Sequence, residues 1–196
     1  MTAADSRIEL LEDFLLDAPR AAEDVRRKPP LLAGVGAYLL GGLSVALAFA
    51  VLQRGGALGG AWPFIALSCL WHVFSGAVMT ALLHLIADAA GGEGRASSLF
   101  VLLGLSDLGW TLLLPAALLS RAMLPGAVWP FSLMFLFAGA VTLLLRVRSV
   151  KDNYGIGLGR AWLAVILPYA ALFVLACLGL ALAMWGAVMQ LIKVFS

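Results

Sequence analysis

Ser68, His72, Gly76, Thr80, His84 and Asp88 stand four residues apart along one apolar stretch. In a helix, four residues advance about 400°, so each lies about 40° around from the last and the set forms one ridge. Imidazoles change charge near neutral pH, and Asp107 adds a carboxylate in the middle of a different apolar stretch. A carboxylate held away from water must find a partner or titrate. Two kinds of chemistry fit these residue types. One is a proton- or cation-handling site built from Asp107, His72 and His84. The other is a buried polar network of His72, Thr80, His84, Asp88 and Asp107 that fixes how helices register against one another. His84 and Asp88 are two ligands, too few for a structural metal site, and no third His or Cys lies nearby on that face, so no metal is expected.

The positions within the ridge carry separate expectations. His84 and Asp88 are one helical turn apart near a helix end. There a protonated imidazole would offset the unfavourable meeting of a carboxylate with the negative end of the helix dipole. Counted from the shared loop at about 1.5 Å per residue, Asp107 lies roughly 15 Å along its helix and His72 roughly 24 Å. Thr80 and Gly76 come nearer the carboxylate's level, and a direct His72–Asp107 contact requires tilt or a shift of register.

Five long apolar runs must position these groups: Leu31–Gln53, Trp62–Ile86, Ser98–Leu119, Met123–Leu145 and Ala161–Ile192. Each reaches the roughly 20 residues that a bilayer core demands of a helix. None alternates with period two, and backbone in hydrocarbon must satisfy its own hydrogen bonds, which predicts helices and not barrel strands. The chain is 63% hydrophobic and 12% charged, with a mean hydropathy of +1.02, which excludes a water-soluble core. The expected architecture is an all-α integral membrane protein with five transmembrane helices in one bundle. Residues 1–30 form a cytoplasmic segment and residues 31–196 the membrane domain.

Charge sets the expected orientation. With the amino terminus in the cytoplasm, ten of the 13 basic residues fall on the inner side, among them Arg26, Arg95, Arg146, Arg148 and Lys151. Only Arg54, Arg121 and Lys193 fall outside, a positive-inside bias that places the carboxyl terminus outside. Pro115 and Pro168 are expected to bend the third and fifth spans. Cys69 and Cys177 both lie inside spans and read as small packing residues. The first 30 residues have no apolar segment of signal-peptide type. They begin instead with a predicted short amphipathic helix, in which Ser6 and Glu9 have capping-box spacing. Ile8, Leu11, Phe14 and Leu15 form its apolar stripe, and Pro19 ends it. Its other face is acidic, which suits docking on the bundle or on a partner better than anionic lipid.

Catalytic signatures are wanting. Gly155, Gly157 and Gly159 lack the strand that a nucleotide fingerprint requires and suit a flexible connection, and no hydrolase elbow, zinc-protease helix or Walker loop occurs. No catalytic residue and no cofactor is therefore expected, and nothing points to nucleic acid.

His84-Leu-Ile-Ala-Asp-Ala-Ala-Gly91-Gly92-Glu93-Gly94 closes the second run, and Tyr154-Gly-Ile-Gly-Leu-Gly-Arg160-Ala161 leads into the fifth. Together these stretches resemble the bacterial branch of the Yip-domain (Ypt-interacting protein) family over roughly residues 31–196. The third run departs from that pattern, with Ser106-Asp107-Leu108-Gly109 where the family often has an aromatic-small-x-Pro sequence. The aromatic, proline-rich motif of eukaryotic members is also missing, so their GTPase partners do not carry over. The resemblance implies an integral membrane protein to which no catalytic residues transfer. The small-residue ridge, the acidic helix and the missing reaction signature point to a non-enzymatic protein, and the Ala-, Gly- and Leu-rich composition suits a bacterial cytoplasmic membrane. Such a protein would act in membrane organisation or trafficking through helix packing, with the bilayer and a membrane-protein partner or second copy as its contacts. A small transporter or channel subunit is the alternative.

Overall fold

The computed structural model describes the backbone of residues 3–52, 62–124 and 129–195, and the side chains of 9–52, 62–124, 129–190 and 195. Arg54, the Gly55–Gly56 and Gly59–Gly60 turn, and the side chains of Ser6, Ile8 and Lys193 lie outside what is described. Everything else is helical apart from short connectors, with no strand among the described residues. The elements are α1 (Ala3–Leu16), α2 (Ala18–Arg27), α3 (Leu31–Leu52), α4 (Trp62–Ala89), α5 (Ala96–Asp107), α6 (Leu113–Met123), α7 (Trp129–Tyr154) and α8 (Leu158–Phe195). A 3₁₀ segment, Leu108–Leu112, joins α5 to α6. Five helical stretches are long and apolar enough to cross a membrane: α3, α4, α5 with α6, α7, and Leu158–Gln190 of α8.

The third span is interrupted, and proline explains where. Pro115 has no N–H, so the carbonyl of Thr111, four residues earlier, cannot receive its usual helical bond. The chain tightens to 3₁₀ geometry over that turn, and Ser44 Oγ of α3 donates to the Thr111 carbonyl at 3.2 Å. Pro168 is tolerated differently, since α8 runs through it without interruption.

α5 is the central helix. All seven residues from Val101 to Asp107 are buried, between α3 on one side and α7 on the other, while α4 braces α3 and α5. Close approach is what buries α5 so fully. A Cβ on Gly104 would lie 2.6 Å from the Gly34 carbonyl oxygen, and one on Gly42 would lie 2.9 Å from Cys69 Cα. Small residues on facing surfaces let membrane helices gain dispersion contact where no hydrophobic force distinguishes a neighbour helix from lipid. The first third of α8 packs on this core through Ala161, Ala164 and Val165.

The amino-terminal segment holds two helices. Pro19 belongs to the first turn of α2, where its missing N–H costs nothing, and Asp17 caps that helix by accepting from Arg20 N. α1 starts at Ala3, which puts Ser6 inside the helix and not at its cap. On α1 Phe14 is buried but Leu15 is 60% exposed, and Leu10 and Leu11 pack inward. Phe14, Ala21, Ala22 and Val25 join Ala37, Val101, Leu102 and Leu105 in one apolar cluster. Polar links fix the pair to α7: Arg26 Nη2 donates to the carbonyls of Asp152 (3.0 Å) and Asn153 (2.6 Å), and Arg148 Nη1 to that of Leu15 (3.3 Å). A cation at a helix carboxyl end meets both orphan carbonyls and the negative dipole end.

Candidate functional site

Four side chains from four helices, Asp107 among them, form one linked cluster. The Asp107 carboxylate is 2% exposed and both oxygens are engaged: Arg146 Nη2 lies 2.5 Å from Oδ1, and His72 Nδ1 lies 3.2 Å from Oδ2. A carboxylate only accepts, so the hydrogen sits on Nδ1 of His72. Arg146 Nη1 donates in turn to the hydroxyl of Tyr169. The result is a hydrogen-bonded chain running from α4 through α5 and α7 to α8. Breaking a buried ion pair leaves an uncompensated charge, which makes such a cluster a strong constraint on register.

The His72–Asp107 contact exists despite the mismatch in their distances from the shared loop, and the reason is visible at that loop. α4 ends with Gly91 in the left-handed region (φ +84°), its N–H on the Asp88 carbonyl, while Gly92 N–H reaches back to the Ala87 carbonyl. The chain then climbs along α4 before α5 begins. His72 to His84 is 12 residues and Arg95 to Asp107 is also 12, about 18 Å each, so α5 starts near the level of His84 and not of Ala89. Gly41 of α3 leaves the meeting point open. A Cβ there would lie 3.0 Å from the Asp107 carbonyl oxygen and 3.7 Å from His72 Nδ1.

The remaining ridge residues do other work. Ser68 Oγ donates to the Gly42 carbonyl at 2.9 Å, tying α4 to α3. Gly76 leaves room for the Tyr38 ring, which a Cβ would strike. Thr80, buried, donates to the Gly76 carbonyl at 2.7 Å and also lies beside the Tyr38 hydroxyl, without a direct bond to Asp107. His84 does not pair with Asp88. Its Nδ1 lies 2.6 Å from the hydroxyl of Tyr154, at the end of α7, with the rings 5.9 Å apart. Asp88 is exposed and makes no side-chain hydrogen bond or ion pair with a described residue. The expected five-residue network therefore divides into a His72–Asp107 centre and a separate His84–Tyr154 contact. The Thr80 hydroxyl is held by the Gly76 carbonyl beside Tyr38, and the charge of the exposed Asp88 reaches Tyr154 only through space. Steps of 40° carry the ridge from facing α3 at Ser68 towards the end of α7 at His84.

Arg146 was counted above among the inner-side charges, beyond a fourth run that ends at Leu145. It lies instead within α7, eight residues before its end, with a side chain 15% exposed. A polar pattern on that helix marks the buried face: Thr142, Arg146, Ser149 and Asn153 recur at steps of four, three and four residues. Ser149 Oγ lies 3.1 Å from Ser106 Oγ, and Asn153 Nδ2 donates to the Arg95 carbonyl at 3.2 Å. A recess of about 320 Å³ adjoins the cluster between α7 and α8, lined by Trp110, Gly139, Thr142, Leu143, Arg146, Ile166 and Tyr169. Among the described residues no three His, Cys, Asp or Glu side chains are placed to hold a metal ion. No protein-family model, curated protein or solved structure matches the chain.

Proposed function

We propose that this chain is a non-enzymatic five-span membrane protein of Yip-domain type, with its amino terminus in the cytoplasm of a bacterium and its carboxyl terminus outside. It works by offering helix surface to other membrane proteins or to a second copy, in membrane organisation or trafficking. The observation that carries this reading is the contrast along α8: every residue from Tyr169 to Gln190 is exposed, whereas the charged groups of the bundle interior are engaged with one another. A helix of that length, free on all sides and attached only by its first third, is a surface available for packing. Cys177 is exposed on it and provides a native handle. Oxidative or bismaleimide cross-linking in native membranes should give one discrete higher-mass species that Cys177→Ser removes. Monomer alone at every cross-linker length would sink the proposal.

One observation favours a second reading, a subunit that handles protons or cations. The hydrogen-bonded run His72–Asp107–Arg146–Tyr169 extends across the bundle and ends on a recess. His84 is excluded from it by about 18 Å of helix. Proton flux in proteoliposomes that disappears in Asp107→Asn would establish that reading. Equal, background flux in both proteins would remove it.

A further inference from the structure

A second cluster of charge lies where α2, the α4–α5 turn and the end of α7 meet. Arg26, Arg27 and Arg95 line a shallow pocket of about 420 Å³ there, and Glu23 is the one acid among the lining residues. The end of α7 holds the other two segments in place. Arg26 Nη2 donates to the Asp152 and Asn153 carbonyls, Asn153 Nδ2 donates to the Arg95 carbonyl, and the Glu93 N–H donates to the Tyr154 carbonyl at 3.3 Å. Both Arg26 and Arg95 are thus anchored on Asn153, which is fully buried. The pocket is set by the fold before anything binds.

Its charges, unlike those around Asp107, are unevenly answered. Arg26 is partly buried, and among the described residues no carboxylate lies within ion-pair distance of it. Asp152, whose carbonyl it holds, gives its carboxylate to Lys151 at 3.2 Å and to Arg148 at 3.9 Å. A carbonyl supplies a dipole and no counter-charge, and Arg26 Nε is buried with no acceptor at all. Arg95 is exposed, and its side chain makes no hydrogen bond or ion pair with a described residue. Arg27 pairs with Glu23 at 2.5 Å, but both side chains are mostly exposed, where an ion pair contributes little. Three guanidinium groups against one carboxylate leave two positive charges on one pocket.

A carboxylate ligand would neutralise one of these charges. A terminal phosphate carries close to two negative charges at neutral pH and presents three oxygens, which guanidinium forks meet with paired N–H donors. Arg95 is also the N-cap of α5, whose first turn has no side-chain cap, so the positive end of that helix favours the same anion. Arg27 ends α2 just before the first span, and Arg95 directly precedes the third. The pocket therefore stands at the ends of the spans, the level of lipid headgroups.

We propose that Arg26 and Arg95, with Arg27 beside them, form a binding site for a terminal phosphate group, borne by a membrane lipid or by a soluble molecule. The site is separate from the free part of α8, and the proposal does not depend on partner binding there.

The test uses the full-length protein in dodecylmaltoside micelles at neutral pH, with bound lipid counted by native mass spectrometry. One molecule of dioleoyl phosphatidic acid should bind saturably and more tightly than dioleoyl phosphatidylglycerol, whose phosphodiester has a single charge. Arg95→Gln changes an exposed side chain that the fold does not use, and it should raise half-saturation about tenfold, as expected for loss of a hydrogen bond between charged groups. Arg160→Gln removes an exposed cation outside the pocket and should leave half-saturation unchanged. Inorganic phosphate separates the sources. If it binds alone, by calorimetry, and displaces the lipid, the group is taken from solution; if it does neither, the group is a lipid headgroup. Equal binding of the two lipids, failure to saturate at one molecule, or equal weakening by Arg95→Gln and Arg160→Gln would overturn the proposal, because diffuse surface charge predicts each of them.

Discussion

The third span and the last are both long apolar helices, yet the less apolar of the two is the buried one. The third has a mean hydropathy of 1.7 and 61% of its most apolar window is buried, against 2.5 and 17% for the last. In a soluble domain the order would be reversed. Lipid tails are as apolar as leucine, so hydrophobicity alone gives a membrane helix no reason to prefer a protein neighbour. What selects the centre is what lipid cannot provide: close approach at Gly104, a hydroxyl partner for Ser106 and a counter-ion for Asp107. The outer part of α8 offers mostly leucine, alanine and valine, and it is left exposed.

The largest test of this contrast is to remove the charge at the centre. Asp107→Ala strands the Arg146 guanidinium and should destabilise the bundle by about 3–5 kcal/mol, read from denaturation in mixed micelles. Asp107→Leu combined with Arg146→Met should recover most of that loss. A double variant as unstable as the single would mean that the ion pair is not what Asp107 contributes. Steric exclusion comes next. Gly104→Val has to push its new Cβ against the Gly34 carbonyl, separating α3 from α5 at a cost of about 1–3 kcal/mol in the same assay.

Tyr154→Phe deletes the hydroxyl beside His84 and should cost about 0.6–1.5 kcal/mol, with the loss absent when His84 is already alanine. Smallest of all, Leu175→Ala and Leu182→Ala on the free part of α8 should leave the unfolding midpoint of purified monomer within about 0.5 kcal/mol of the parent. A large loss from either would show that this helix packs on the bundle after all and would dissolve the contrast.

Much of the architecture was legible beforehand because it depends on sums over local residues. Five apolar runs became five helices able to cross a membrane, and most ends shifted by four residues or fewer. The fourth run, expected at Met123–Leu145, is the helix Trp129–Tyr154, and Met123 ends α6. The shift mattered once: ending the fourth run at Leu145 put Arg146 outside a helix that continues to Tyr154. Hydropathy stops at the first charge, but a helix does not, and the inward repeat Thr142, Arg146, Ser149, Asn153 was the available sign that the charge turned towards the core. The separation of His84 from Asp88 had no such sign. One turn apart on one helix is compatible with a pair, and only the arrival of Tyr154 from 70 residues away gives His84 a different partner.

The sequence by itself determined that this chain is helical, apolar enough to cross a membrane five times, and in possession of one carboxylate that needs a partner. Those properties follow from composition and period, which act over a few turns of chain. Tertiary structure decided which cation answers Asp107, how His72 reaches it, and which part of α8 stays free. Each depends on the level at which one helix meets another. That level is set by the climb of the connector after Gly91 and by the close contacts at Gly34, Gly41 and Gly104, where backbones from distant parts of the chain come together.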